Sequence, residues 1–138
     1  MIKIPITKIL FIDIETVGCC PNLDSCSALN PKIYEQFVKY FDWFLKRFPE
    51  DNYEKGENSP ITSKMDEVFK KRAALVPEFS KIICVCVGVV LDNGDIKTQI
   101  FSNEDETKLL REVQTVLNKT GSLDFFLCGH NLKNFDIP

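Results

Sequence analysis

The sequence contains no run of about 18 consecutive apolar residues, the shortest stretch that would cross a membrane as a helix. Its first residues also lack the apolar core and small-residue cleavage site of a secretory signal peptide. Basic residues are not in excess, because 17 Lys and Arg stand against 20 Asp and Glu, for a formal net charge of −3. This balance argues against binding nucleic acid through a broad basic field, but it allows contact with phosphates through bound cations. We expect a cytoplasmic protein that does not associate with membranes.

Histidine and tryptophan are also scarce, with one of each, whereas phenylalanine is abundant, with eleven. A chain of 138 residues with 44% hydrophobic content is sufficient for the core of one domain. Its six cysteines are expected to be thiols or metal ligands, since nothing else in the sequence indicates secretion. Cys19, Cys20 and Cys26 form a cluster, but a fourth ligand is not evident, so a zinc site is disfavoured.

The hydrophobic pattern predicts an alternation of strands and helices without internal repeats. The predicted elements are strands at 7–15, 81–91, 96–101 and 123–128, and helices at 31–48, after Ser63 and from 103 towards Gly121. The helix after Ser63 is expected to direct Val68, Phe69 and Leu75 inward. The apolar first strand is typical of a central strand covered on both faces, and Asn93-Gly94 predicts a hairpin turn with positive φ at both residues. The order indicates an α/β fold, a mixed sheet with flanking helices. We expect one domain over 1–138, with a helical insertion at 18–80 between the first two strands.

Two carboxylates follow the apolar part of the first strand. Asp13 and Glu15 alternate with Ile14, so they point to the same face, about 7 Å apart along the strand. Paired carboxylates repel each other unless a cation compensates them, and Mg²⁺ and Mn²⁺ prefer oxygen ligands. The alternative is two solvated side chains at a strand end. A second polar segment, Gly129 to Asp136, follows the last strand; alone, it indicates a turn into a capped helix.

Together, these two segments resemble a known family. Phe11-Ile12-Asp13-Ile14-Glu15-Thr16 and Asn131-x-x-x-Phe135-Asp136 resemble the first two motifs of the DEDD 3′–5′ exonucleases. The closest likeness is to the exonuclease domain of family B DNA polymerases and to related stand-alone predicted exonucleases. The segment 74–84 is also similar, with Ser80 where that family often has Gly. The resemblance covers nearly the whole chain and implies a ribonuclease H-like fold.

The resemblance also implies roles for individual residues. Asp13 would bridge two Mg²⁺ or Mn²⁺ ions, Glu15 would bind the first and Asp136 would help to hold the second. Thr16, Asn131 and Phe135 would lie on the substrate side, where Thr16 would act through main-chain amides. We expect Asn131 chiefly to cap a helix, and Phe135 chiefly to orient Asp136. The substrate would be the 3′ end of single-stranded DNA, or else RNA, and the product a nucleoside 5′-monophosphate.

One departure from the family concerns a third motif. The family has a further carboxylate there and a Tyr or His that activates water, and no segment of this sequence replaces them. We therefore expect a C-terminally truncated, incomplete domain that is inactive or nearly so. Two other functions remain open. One is a phosphatase-like hydrolase with Asp13 as nucleophile, and the other is a non-catalytic nucleic-acid-binding module.

Three other features have simpler interpretations. The lone histidine, His130, is expected to have a structural role in a turn rather than a catalytic one. The polar stretch from Pro49 to Pro60 predicts an exposed loop. A group of basic residues in the second helix is expected to be a solvated face, with steering of DNA as a secondary hypothesis. These residues are Lys64, Lys70, Lys71 and Arg72.

Overall fold

The structure is a computed structural model that describes residues 3–52 and 61–129. Its strands are β1 (Ile9–Gly18), β2 (Ser80–Val90), β3 (Ile96–Ser102) and β4 (Phe126–Cys128). Its helices are α1 (Leu23–Leu29), α2 (Pro31–Arg47), α3 (Ile61–Arg72) and α4 (Glu106–Gly121). Two compact units result. The sheet unit comprises the residues up to Thr16 and those from Ile82 onwards, and the helical unit comprises Val17–Lys81.

The four strands form one sheet in the order β3-β2-β1-β4. β2 and β3 pair antiparallel as a hairpin, from Cys84 opposite Ser102 to Val90 opposite Ile96. β4 runs parallel to β1, with Phe11 opposite Cys128. The predicted mixed sheet with flanking helices is therefore confirmed. β4 is shorter than predicted, since the chain before it forms a turn in which Asp124 has a φ of +56°.

One face of the sheet is packed and the other is exposed. The packed face and α4 share a core of Leu10, Ile12, Val85, Val87, Phe101, Leu109 and Val113. On the opposite face, which we call the open face, Phe11 of β1 and Ile100 of β3 are exposed, and Ile96 is 73% exposed. The prediction that β1 is covered on both faces is therefore wrong within the described residues. Although β1 is central in the sheet, its alternate residues reach two different environments.

The β2–β3 hairpin is confirmed, but its turn differs from the predicted one. Gly94 has a φ of +88°, whereas Asn93 does not have a positive φ. The Gly94 N–H donates to the Leu91 carbonyl at 2.9 Å, and the Leu91 N–H donates to the Asp95 carbonyl at 2.8 Å. This is a three-residue loop that needs only one left-handed residue, and glycine takes that position without a steric cost.

The helical unit is built around the aromatic face of α2. The helix begins with Pro31 in its first turn, as predicted. Phe37 is fully buried, and its ring centroid lies 4.8 Å from that of Phe44, 5.0 Å from Phe69 and 5.4 Å from Phe79. No helix in the described ranges combines the length and apolar character needed to cross a membrane.

The end of α3 departs from the prediction. Leu75 was expected to face inward, but it is 44% exposed. The helix ends at Arg72 and a short 3₁₀ turn, Ala73–Leu75, follows. This change of helical pitch moves the buried position to Ala73, so the extrapolated helical spacing no longer applies.

Candidate functional site

Asp13 and Glu15 lie on the open face of β1. Both are exposed, and Ile12 and Ile14 alternate with them towards the α4 side of the sheet. The predicted common face of the two carboxylates is confirmed. No ion pair or hydrogen bond to either carboxylate comes from the described part of the chain. Asp13 and Glu15 thus present carboxylate oxygens on one face, and no cationic side chain of the described residues pairs with them. Such a pair of oxygen donors is suitable for binding a hard divalent ion.

The parallel strand β4 pairs with β1 next to these carboxylates. Phe11 lies opposite Cys128, and Asp13 comes two residues later on β1. Because the strands are parallel, β4 runs in the same direction as the part of β1 that continues to Asp13 and Glu15. Gly129, the first residue after β4, lines the same groove as Asp13. Gly129, where the second polar segment of the sequence begins, therefore lies in the same groove as Asp13 of the first motif.

The remaining residues of the second motif lie outside the described ranges. They are His130, Asn131, Phe135 and Asp136. The metal-binding role of Asp136, the substrate-side roles of Asn131 and Phe135, and the turn role of His130 therefore stay predictions.

Thr16 is half-buried and alternates to the face opposite Asp13 and Glu15. The structure thus does not bring the Thr16 side chain together with the two carboxylates. A contact of Thr16 with substrate would have to come from its main-chain N–H, as the sequence analysis expected.

An apolar groove lies along the open face next to Asp13. Its volume is about 680 Å³, within the range of sites that hold small organic ligands. The groove is lined by Ile6, Phe11, Ile12, Asp13, Cys86, Gly88, Val90, Ile96, Thr98, Cys128 and Gly129. Asp13 is the charged residue among these lining residues, so the groove has an acidic group beside an otherwise apolar wall.

Three of the four basic residues of α3 are paired with acids, and the fourth, Lys64, donates to the side-chain oxygen of Asn52 at 3.2 Å. Arg72 Nε donates to Asp51 Oδ2 at 2.6 Å, and Lys71 contacts the other carboxylate oxygen of Asp51. Lys70 pairs with Asp66 at 2.6 Å. The steering hypothesis is weakened, because these cations are already compensated by acids within the helical unit.

The burial of Asp51 and its pairing with Arg72 and Lys71 were not predicted from the sequence. The residue falls in the stretch predicted as an exposed loop, yet only 2% of its side chain is exposed. The hydrogen bond from Arg72 holds the pKa of the Asp51 carboxyl below its usual range, with a further contribution from Lys71. No local pattern links the two partners, which are 21 residues apart.

A second candidate metal centre consists of sulfur ligands. Cys19, Cys20 and Cys26 place their thiol sulfurs within 4.8 Å of one another. All three are free thiols. Thiolates favour soft ions rather than Mg²⁺ or Mn²⁺, so this cluster does not provide the site predicted for those ions.

No protein-family model matches this sequence, and the searches found neither a curated protein nor a solved structure that matches it. The likeness to DEDD exonucleases therefore depends on the motif residues of the chain itself.

Proposed function

We propose that this chain carries the metal-binding carboxylates of a 3′–5′ exonuclease of the ribonuclease H-like class, which removes nucleoside 5′-monophosphates from single-stranded DNA. One observation carries the proposal. Asp13 and Glu15 share the open face of a central strand, and the parallel strand β4 pairs with β1 two residues before Asp13. The strand order β3-β2-β1-β4 and the helix on one face of the sheet are compatible with this fold class.

The chemistry follows from the donor set. Bound Mg²⁺ or Mn²⁺ ions would supply an activated water and stabilise the leaving 3′ oxygen. Asp13 would hold the position shared by both ions, Glu15 would complete the first position and Asp136 the second. By holding these cations, the carboxylates would convert an acidic surface, which repels phosphate, into a surface that binds phosphate.

The groove beside Asp13 supports a nucleotide as ligand. Its apolar wall, which includes Phe11, Val90 and Ile96, could pack against a terminal base, while Asp13 in the same groove would hold the phosphate through a bound ion. The chain has a net charge of −3, and three of the four basic residues of α3, Lys70, Lys71 and Arg72, are paired with acids. We therefore expect DNA binding to depend on the divalent ion rather than on a basic surface.

The test measures binding of a single-stranded oligonucleotide with a fluorescent label at its 5′ end. Fluorescence anisotropy reports the binding, in the presence and in the absence of Mg²⁺. Binding is the readout because no segment of this sequence matches the third motif of the family. We expect Mg²⁺-dependent binding, weakened by at least about tenfold in Asp13→Asn, since a lost metal contact typically costs that much or more. The matched control is Asp92→Asn, which makes the same charge change at an exposed position in the hairpin turn.

Two results would contradict the proposal. Binding without divalent ions that survives Asp13→Asn would favour the non-catalytic nucleic-acid-binding module. A phosphoryl group trapped on Asp13 after incubation with a phosphate monoester would favour the phosphatase-like hydrolase. An RNA strand of the same sequence, measured in parallel, distinguishes a preference for RNA from one for DNA.

A further inference from the structure

The helical unit contains three thiols that no step of the proposed nuclease chemistry uses. Cys19 and Cys20 lie in the turn after β1, and Cys26 lies on α1. Cys26 is completely buried, Cys20 is 8% exposed, and Cys19 is half-buried. Their sulfurs lie within 4.8 Å of one another, so they surround one small volume.

The turn with Cys19 and Cys20, and the start of α1 that follows it, are held in place by several hydrogen bonds and contacts. The Cys19 N–H donates to the Phe79 carbonyl at 2.9 Å. Asn22 caps α1 by accepting from the Ser25 N–H at 2.7 Å, and the Leu23 N–H donates to Asp66 Oδ1 at 2.8 Å. A Cβ at Gly18 would lie 3.3 Å from the Cys20 carbonyl oxygen, so the backbone is closely packed where the turn begins. Little backbone reorganisation is therefore needed to hold the sulfurs together.

We propose that Cys19, Cys20 and Cys26 form a binding site for one zinc ion, with water as the fourth ligand. Zinc–sulfur bonds of about 2.3 Å place two ligands of a tetrahedral ion about 3.8 Å apart. The observed spacing thus needs to contract by about 1 Å or less. Cys19, the half-buried member, marks the side from which water would enter.

Charge favours a divalent ion over a monovalent one. Three thiolates with Zn²⁺ leave one net negative charge, whereas three thiolates with Cu⁺ leave two, and burial penalises the larger charge. Burial raises the pKa of the Cys26 thiol to about 12, with a further contribution from Cys20, and burial likewise raises the pKa of Cys19. Zinc binding would therefore release protons, and affinity should rise with pH.

The test is a titration of the reduced full chain with Zn²⁺ against a chromophoric chelator. We expect one zinc ion per chain and an apparent affinity that increases by about tenfold or more per pH unit near neutrality. Cys19→Ser should weaken zinc binding by at least about 100-fold. Substitution of a residue that only supports a metal ligand can already weaken binding by up to about 100-fold, and Cys19 would be a ligand itself. Because Cys19 is half-buried whereas Cys26 is buried, Cys19→Ser is less prone to misfold than Cys26→Ser.

Two controls locate the metal. Cys84→Ser removes a thiol of the sheet unit and should leave zinc affinity unchanged, as should Asp13→Asn. With Co²⁺ in place of Zn²⁺, the wild-type chain should show thiolate-to-metal charge-transfer absorption that Cys19→Ser reduces. Zinc affinity that is equal in Cys19→Ser and Cys84→Ser would overturn the proposal. So would oxidation of two of the three thiols to a disulfide at a rate that Zn²⁺ does not slow.

Discussion

Asp51 is the buried carboxylate of the helical unit, held by Arg72 and Lys71. We expect Asp51→Asn to lower the free energy of unfolding by about 3 kcal/mol, because the change removes the buried partner of Arg72 and leaves its guanidinium with the exposed Glu50. Urea unfolding followed by Trp43 fluorescence measures this loss, since Trp43 packs on Phe44 in the same unit. Asp42→Asn, at an exposed position of α2, is the control and should stay within about 0.5 kcal/mol of wild type.

The same carboxylate makes stability depend on pH. The folded-state pKa of Asp51 is lowered chiefly by the hydrogen bond from Arg72, so its contribution is complete above the unfolded pKa of about 3.9. The contribution is lost as the pH falls through the folded-state pKa. We expect the stability difference between wild type and Asp51→Asn to shrink when unfolding is measured at about pH 3 instead of about pH 7. A difference that does not change over this interval would contradict the assigned pKa shift.

At the residue scale, local patterns predicted what depends on neighbours in sequence. Alternation along β1 was enough to place Asp13 and Glu15 on one face. The ion pair of Asp51 with Arg72 joins residues 21 apart, and no periodicity encodes it. The close approach of Cys26 to Cys19 and Cys20 likewise depends on how α1 folds back on the preceding turn.

At the scale of elements, α2 contributes the aromatic centre of its unit. Phe37→Ala should lower the free energy of unfolding by about 3–5 kcal/mol, because a fully buried ring is replaced by a cavity. Urea unfolding monitored at Trp43 gives the value. Val38→Ala, at an exposed position one residue later, should cost less than about 1 kcal/mol. Equal losses in the two variants would contradict the packing described for α2.

The hairpin turn offers a second comparison between elements. Gly94→Ala should lower stability by about 1–2 kcal/mol, because alanine is strained at a φ of +88°. At Gly121, the last residue of α4, a Cβ would meet no atom within 4 Å, so Gly121→Ala should be neutral or slightly stabilising. Thermal unfolding followed by circular dichroism compares the two variants. Loss of stability in Gly121→Ala alone would contradict this description of the turn.

Elements with a strong period were predicted well, and those that end in irregular structure were not. The helix predicted at 31–48 is observed as Pro31–Arg47. The inward position of Leu75 was wrong because α3 gives way to a 3₁₀ turn. The turn at Asn93-Gly94 exists, but the choice between two-residue and three-residue hairpin loops depends on strand register, which a dipeptide does not specify.

At the scale of the molecule, the predicted mixed sheet is confirmed, whereas the exposure of its open face was not foreseen. A continuous apolar run such as Ile9–Ile12 indicates that the strand is buried. The run does not specify which other elements cover each face of the strand. The open face carries Asp13, Glu15 and the groove, so the part of the fold that was hardest to predict is the part on which the proposed function depends.

The proposed function depends above all on a hard-cation site built on Asp13. The most direct measurement is calorimetric titration of the full chain with Mn²⁺, an ion that prefers oxygen ligands. We predict that Asp13→Asn and Asp136→Asn each weaken Mn²⁺ binding by at least about tenfold, while Asp92→Asn and Cys19→Ser leave it unchanged. Mn²⁺ binding of equal strength in wild type, Asp13→Asn and Asp92→Asn would contradict the claim.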